Sequence, residues 1–326
     1  MNPAAPPARP RRRSWSPVRI GLALVSGLLL YQSLVVAFPV MYLGFWKLSG
    51  RVPACTWGRI LTMRRDAELL GRSMEEARGE VFLSGHDAAL DLDLIGTRER
   101  SFWVKRKGKA FDGRGLVAYL LAEHRWMMRV SPAHVVRRGD VVIDGGAHVG
   151  IFTHQALRQG AAKVIAIEPD PGNLHCLRRN FAAEIASGRV VVVPEGLWSR
   201  RTTLELFEGV ENSGTNSLIW KHAGNKVRVP VTTLDLLVER LELERVNFIK
   251  MDIEGAEREA LKGAFQTLRR HRPRLMLDTY HRPDDTAILP AILKQAHAGY
   301  IATCGPCQPA EQSGQPMLIP HVTYYQ

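Results

Sequence analysis

No acidic residue occurs before Asp66. Ten of the 44 Lys and Arg fall in those first 65 positions: Arg9, Arg11, Arg12, Arg13, Arg19, Lys47, Arg51, Arg59, Arg64 and Arg65. The rest of the chain carries 34 basic against 32 acidic residues, so all but +2 of the formal charge of +12 belongs to the N-terminus. Nucleic-acid binding by the remainder thereby loses its main support, and no nucleic-acid partner is expected. Cysteine is scarce too. Cys55, Cys176, Cys304 and Cys307 are too few and too scattered for a disulfide framework. Cys304-Gly-Pro-Cys307 has the spacing of half a zinc site, but no second C-x-x-C exists. His297 or His321 would have to complete it by a coincidence of folding, so a Gly-Pro turn flanked by thiols is expected. No internal repeat is visible, which excludes a solenoid. With 45% hydrophobic and 23% charged residues, the chain can bury a sizeable core.

From Ile20 to Trp46 no residue is charged. As a helix at ~1.5 Å per residue, this run would reach roughly 40 Å, more than the ~30 Å hydrocarbon core. A membrane anchor is therefore expected over residues 20–46, transmembrane or re-entrant. A cleaved signal peptide competes with it, but Val35-Val36-Ala37-Phe38-Pro39 offers no small-residue cleavage site. The five Arg ahead of the run favour a cytoplasmic N-terminus. A single pass would then put the remainder outside. Basic residues after the run, or a helix broken at Pro39, would return it to the cytosolic face, and a cytosol-facing domain is the expectation.

Four regions follow: a disordered basic tail (1–19), the anchor (20–46), a juxtamembrane helix with small strands (47–112), and a large domain (113–326). In the last, strand and helix alternate. Strands are expected at 141–144, 163–168, 190–193, 246–251 and 275–277, with helices between them and a hairpin-like stretch over 203–231. The fold class is therefore α/β and Rossmann-like: a mostly parallel sheet with helices on both faces. Ligands of such sheets bind at the carboxyl ends of the strands.

Two constellations fall there. The first strand runs into Asp144-Gly145-Gly146-Ala147-His148-Val149-Gly150, and the second ends in Glu168-Pro169. A glycine-rich turn brings backbone close to a ligand, and an acid 24 residues after Asp144 is placed to accept ribose hydroxyls. A pyrophosphate beside Asp144 would suffer like-charge repulsion, whereas the ammonium and sulfonium of S-adenosylmethionine (SAM) would not. SAM is thus preferred to NAD as the cofactor. The second constellation is Lys250-Met251-Asp252-Ile253-Glu254-Gly255-Ala256-Glu257, a strand end opening a helix. Asp252 and Lys250 beside a methyl donor could deprotonate or orient a hydroxyl, and His281 is an alternative base. Glu254 and Glu257 also suit a helix N-terminus. Three close acids could hold a divalent cation, but no metal is assigned.

Asp144 to Gly150, Glu168-Pro169, Thr233-Leu234-Asp235, Lys250 to Glu257 with Ala260 to Ala264, and Pro273 to Tyr280 follow one another as in the FkbM methyltransferases, which the chain resembles over roughly residues 115–285. The resemblance implies a class I SAM-dependent methyltransferase acting on hydroxyl oxygens of sugars, polyketides or similar products. It implies that Asp144, Gly146 and Glu168 contact SAM and that Asp252 and Glu254 face the reaction centre. Gly145, Ala147, His148, Gly150 and Pro169 complete the candidate cofactor contacts. Two positions depart from the family: His148 stands where Asn is commoner, and Asp278 where Glu is commoner. The anchor suggests a lipid-linked glycan or another amphipathic acceptor. An NAD-type oxidoreductase and a tethered SAM-binding module without chemistry are the rival readings.

Overall fold

The computed structural model describes residues 55–106, 112–209, 213–221, 224–282, 284–312 and 315–326, together with 26, 27, 45, 47 and 48. The basic tail and nearly all of the expected 20–46 anchor lie outside the described residues. Among the described residues no helix is long and apolar enough to cross a membrane. Residues 1–50 and 51–326 are separate units, and the architecture below is that of the second.

In chain order the elements are α1 (Trp57–Glu80), β1 (Phe82–Asp87), β2 (Leu92–Gly96), β3 (Ser101–Lys105), α2 (Gly113–Val130), β4 (Val141–Gly145), α3 (Ile151–Arg158), β5 (Lys163–Ile167), α4 (Pro171–Asn180), α5 (Ala182–Ala186), β6 (Val190–Val193), β7 (Gly196–Leu197) and β8 (Thr202–Phe207). There follow β9 (Lys226–Thr232), α6 (Leu234–Arg240), β10 (Phe248–Met251), α7 (Glu257–Lys262), α8 (Phe265–His271), β11 (Arg274–Asp278), α9 (Asp285–Ala296), β12 (Ala302–Cys304), β13 (Cys307–Gln312), β14 (Gln315–Pro320) and β15 (Val322–Tyr325).

Seven strands form the central sheet in the order β12-β15-β11-β10-β4-β5-β6. The run β11-β10-β4-β5-β6 is parallel, and β15 runs antiparallel between β11 and β12. Side chains of a strand alternate between faces, and here both faces are covered. Val142, Val164, Phe248, Met276 and Tyr324 enter one core with α2, α3, α4 and the small β1-β2-β3 sheet. Their neighbours Ile143, Ile165, Ile249, Leu275 and Tyr325 enter a second core with α6, α7, α8 and α9. The expected α/β architecture, a mostly parallel sheet with helices on both faces, is therefore present, with an antiparallel edge at β15 and β12.

Local chemistry sets the helix starts. Asp112 accepts from Gly115 N at 2.6 Å and Asp170 from Asn173 N at 2.7 Å, each capping a helix whose first amides lack partners. Between β10 and β11 the chain forms two short helices rather than one. A Cβ on Gly263 would fall 2.1 Å from the Trp198 carbonyl oxygen, and Asp235 accepts from Gln266 N and Thr267 N to start α8 afresh. The hairpin-like stretch is β8 paired antiparallel with β9.

Helix α1 packs on α2: Trp126 Nε1 donates to the Asp66 carbonyl at 2.7 Å, and Ala77 is fully buried. The expectation of unbonded cysteines needs correction. Cys55, just ahead of α1, is disulfide-bonded to Cys307, the first residue of β13. Cys304 Sγ lies 3.7 Å from Cys307 Sγ. A pairing across 252 residues leaves no trace in sequence spacing.

Candidate active site

The β4 turn owes its shape to contacts with β10. Gly146 has φ +73°, and a Cβ there would sit 1.9 Å from the Asp252 carbonyl oxygen. Glycine is required at this position by a neighbouring strand end as well as by its own backbone. Gly150 has φ +95° and abuts the Phe181 ring, while Gly145 faces Leu197 and Lys250. His148 is also left-handed, at φ 53°. Burial holds its imidazole down to about 3, hence neutral, and Nε2 lies 2.7 Å from Ser213 Oγ.

One cavity of about 310 Å³ opens above this turn. Gly146, Ala147, His148, Glu168, Pro169, Lys250, Asp252 and Glu254 line it, so eight of the twelve sequence-derived candidates meet there. Gly145 and Gly150 do not line it; they shape the turn. Asp144 does not line it either. Its side chain is fully buried, accepts from Thr153 Oγ1 at 2.6 Å, and stands 3.5 Å from Lys250 Nζ. The expected direct contact between Asp144 and a cationic cofactor is therefore corrected: β4 turns this carboxylate inward, where an ammonium compensates it.

Lys250 reaches the cavity wall, but its ammonium is engaged. Nζ donates to the carbonyls of Gly145 (3.2 Å) and Gly146 (2.9 Å). Burial alone would lower its pKa; Asp144, with Asp252 and Asp278, together outweigh that and raise it. The side chain remains a cation that locks the turn.

At the β5 end, both Glu168 oxygens are anchored. Oε2 accepts from His148 N at 2.8 Å and Oε1 from Asp170 N at 2.9 Å. Each carboxylate oxygen has a second lone pair to offer. Burial, reinforced by the charge of Asp170, pushes this carboxyl up to about 7 despite those bonds.

At the β10 end, Asp252 and Glu254 converge on His281. His281 Nε2 lies 3.6 Å from Asp252 Oδ1 and 3.5 Å from Glu254 Oε2. Glu257 Oε1 is 3.0 Å from His281 Nδ1 and also accepts from Ile253 N at 3.0 Å. His281 itself does not line the cavity; it stands behind the two acids. Burial and the neighbouring acids push the Glu254 carboxyl up to about 8, against the lowering effect of His281. Burial opposes the charge on His281, but Glu257, Glu254 and Asp252 raise it well above its ordinary value. The Asp278 carboxyl is likewise raised, by burial and then by Asp252. Glu254 is held at φ 52° next to Gly255 at φ +92°, and its carbonyl accepts from Ser217 Oγ at 2.7 Å. Left-handed non-glycine residues are costly, and two of them, His148 and Glu254, border this one cavity.

Residues 144–302 match the Methyltransferase FkbM domain. The match covers just under half of the chain. Among curated proteins it is similar to Methyltransferase sdnD of Sordaria araneosa, with 28% identity over 37% of this chain and 59% of that protein. It is similar to hexuronic acid methyltransferase AglP of Haloferax volcanii, with 30% identity over 40% of this chain and 52% of that protein. The chain thus spans little more than half the length of these relatives. Among solved structures, methyltransferase FkbM from Methylobacillus flagellatus KT is 17% identical, covering 82% of this chain and 62% of that one, with a TM-score of 0.41.

Part of the cavity wall comes from outside the matched FkbM domain. Leu116, Tyr119, Leu120, Glu123 and His124 of α2 line it. Tyr119 Oη donates to Glu123 Oε1 at 2.9 Å, and Glu123 also faces His321 Nε2 at 3.1 Å. Burial would raise the Glu123 carboxyl, but His321 brings it down to about 2. Sequence reasoning did not assign this helix to the site. The available signal was the Tyr119–Glu123 spacing of four, which sets both side chains on one helix face. Ser213, Gly214, Thr215 and Asn216, between β8 and β9, line the cavity as well.

Proposed function

We propose that this chain is a SAM-dependent O-methyltransferase of the class I fold, acting on a hydroxyl of a sugar, glycolipid or natural-product-like acceptor. One observation carries the reading. Among the described residues, the acids and lysines lining the cavity are four carboxyl side chains (Glu123, Glu168, Asp252, Glu254) and one amine, Lys250. That amine is bound to the turn and to Asp144. Such a lining disfavours a pyrophosphate and favours a cationic ligand. It replaces the role first given to Asp144.

The residues fit SAM. The outer lone pairs of Glu168 suit ribose hydroxyls. His148 Nδ1 and Asn173 Oδ1 are buried in the wall without partners, as polar groups awaiting a ligand would be. When bound, SAM supplies an electrophilic methyl group on a sulfonium. Asp252 then accepts the proton of the acceptor hydroxyl, with His281 behind its Oδ1. Lys250 and Gly146 hold the Asp252 strand end against the turn, which fixes the acid relative to the cofactor floor. Positioning of this kind supplies much of the barrier lowering in a displacement.

The carbohydrate acceptor is supported by the likeness to hexuronic acid methyltransferase AglP. The uncharged run at 20–46 supports a membrane tether and an amphipathic acceptor. We place the domain on the cytosolic face, where SAM is made. The Cys55–Cys307 disulfide favours an oxidising compartment instead, and a C-terminal reporter active only outside the cytosol would reverse the placement. Calorimetric titration of the full chain with SAM and with NAD tests the cofactor: SAM should bind and NAD should not. Binding of NAD alone would replace this reading with an oxidoreductase.

A further inference from the structure

We infer that Asp252, Glu254 and His281 form a site for one divalent transition-metal cation at the acceptor end of the cavity. The inference deepens the methyl-transfer reading and takes from it only the role of the site. Among the described residues these three offer ligand atoms within 4.8 Å of one another. The distances from His281 Nε2, 3.6 Å to Asp252 Oδ1 and 3.5 Å to Glu254 Oε2, are too long for hydrogen bonds. They suit ligands around a common ion: metal–ligand bonds of roughly 2.0–2.2 Å at tetrahedral angles separate their ends by about 3.3–3.6 Å.

A second observation points the same way. His281 Nε2 is buried without a hydrogen-bond partner, and the side chain is only 3% exposed. The other ring nitrogen, Nδ1, is held at 3.0 Å by Glu257 Oε1. Glu257 is itself fixed by the Ile253 amide and fully buried. A carboxylate that fixes one imidazole nitrogen so that the other is presented to an ion is the usual support of a metal-binding histidine.

One imidazole and two carboxylates suit Mn²⁺ or Zn²⁺ better than Ca²⁺, which takes six to eight oxygens. Asp252 and Glu254 both line the cavity, so the open positions of the ion would face the acceptor. There it would orient a substrate oxygen, while the second Asp252 oxygen stays available to the hydroxyl proton.

The test is titration of the full chain, freed of metal by chelator, with MnCl₂ alone. Free Mn²⁺ is followed by electron paramagnetic resonance. The parent should bind one ion per chain. Asp252→Asn and His281→Gln should lose it. Glu257→Gln should weaken it by about ten- to hundredfold, because the supporting carboxylate orients the ring. A thermal melt of each variant separates loss of the site from loss of the fold, and Asp252, with a side chain 29% exposed, is the change that disturbs packing least. Absence of binding up to about millimolar Mn²⁺ overturns the inference, as does undiminished binding by a folded Asp252→Asn variant. SAM titrated into the same sample is read separately. Mn²⁺ bound without SAM leaves the cation site standing and removes the methyl-transfer reading; SAM bound without Mn²⁺ does the reverse.

Discussion

The two ends of the cavity handle buried acid differently. At the β5 end a single carboxyl, Glu168, is satisfied by two backbone amides and raised by burial to about 7. At the β10 end Asp252, Glu254 and Glu257 surround one imidazole. One end is built to accept hydrogen bonds from a ligand. The other is built to manage a proton or a cation. The two are joined by Gly146, which bears on the Asp252 carbonyl, and by Lys250, which binds the turn.

If the ends are functionally distinct, Asp252→Ala should cost about 10²–10⁴ in turnover while SAM affinity stays at the parental value. Single-turnover assays beside calorimetry measure both, and a parallel loss of the two would erase the distinction. Lys250→Met should act on both ends through the fold. It leaves Asp144 buried without its cation, a loss of about 3–5 kcal/mol in chemical denaturation. Adding Asp144→Asn should recover part of it; no recovery would show that the pair does not carry the effect. Gly146→Ala should destabilise by about 2–3 kcal/mol, since it combines a left-handed backbone with displacement of the Asp252 carbonyl.

The smallest effect concerns pH and the β5 end alone. The groups acting on Glu168 are Asp170 on its own turn, whose carboxylate Lys105 of β3 pairs at 3.0 Å, the His148 backbone amide and the Asn173 side chain. Ribose hydroxyls need the ionised carboxylate, so SAM affinity should fall about tenfold from pH 8 to pH 6, and Glu168→Gln should flatten the profile. Stability runs the other way. The folded-state pKa of about 7 exceeds the ordinary 4.5. The favourable contribution is therefore complete below 4.5 and lost as pH rises through 7. A SAM affinity independent of pH would remove Glu168 from the ribose.

Much of this was legible in the chain. Alternating apolar pairs such as Val142-Ile143 and Phe248-Ile249 mark strands buried on both faces, and Glu168 and Asp252 sit where such strands end. The inward turn of Asp144 was not legible. Both faces of β4 are covered, so alternation cannot say which one opens to a ligand. The C-terminal edge was missed for another reason: β15 inserts between β11 and β12, a pairing set by tertiary contacts rather than by local pattern. The α2 wall and the Cys55–Cys307 bond are likewise long-range. His281 was named as a base, but its place behind Asp252 and Glu254, steadied by Glu257, emerges only when β10 and β11 lie side by side.

The most direct measurement is mass spectrometry of glycan and lipid extracts from cells making either the parent chain or its Asp252→Ala variant. The account requires a species heavier by one methyl group with the parent and its absence with the variant. An identical methylated species from both would contradict methyl transfer at this cavity.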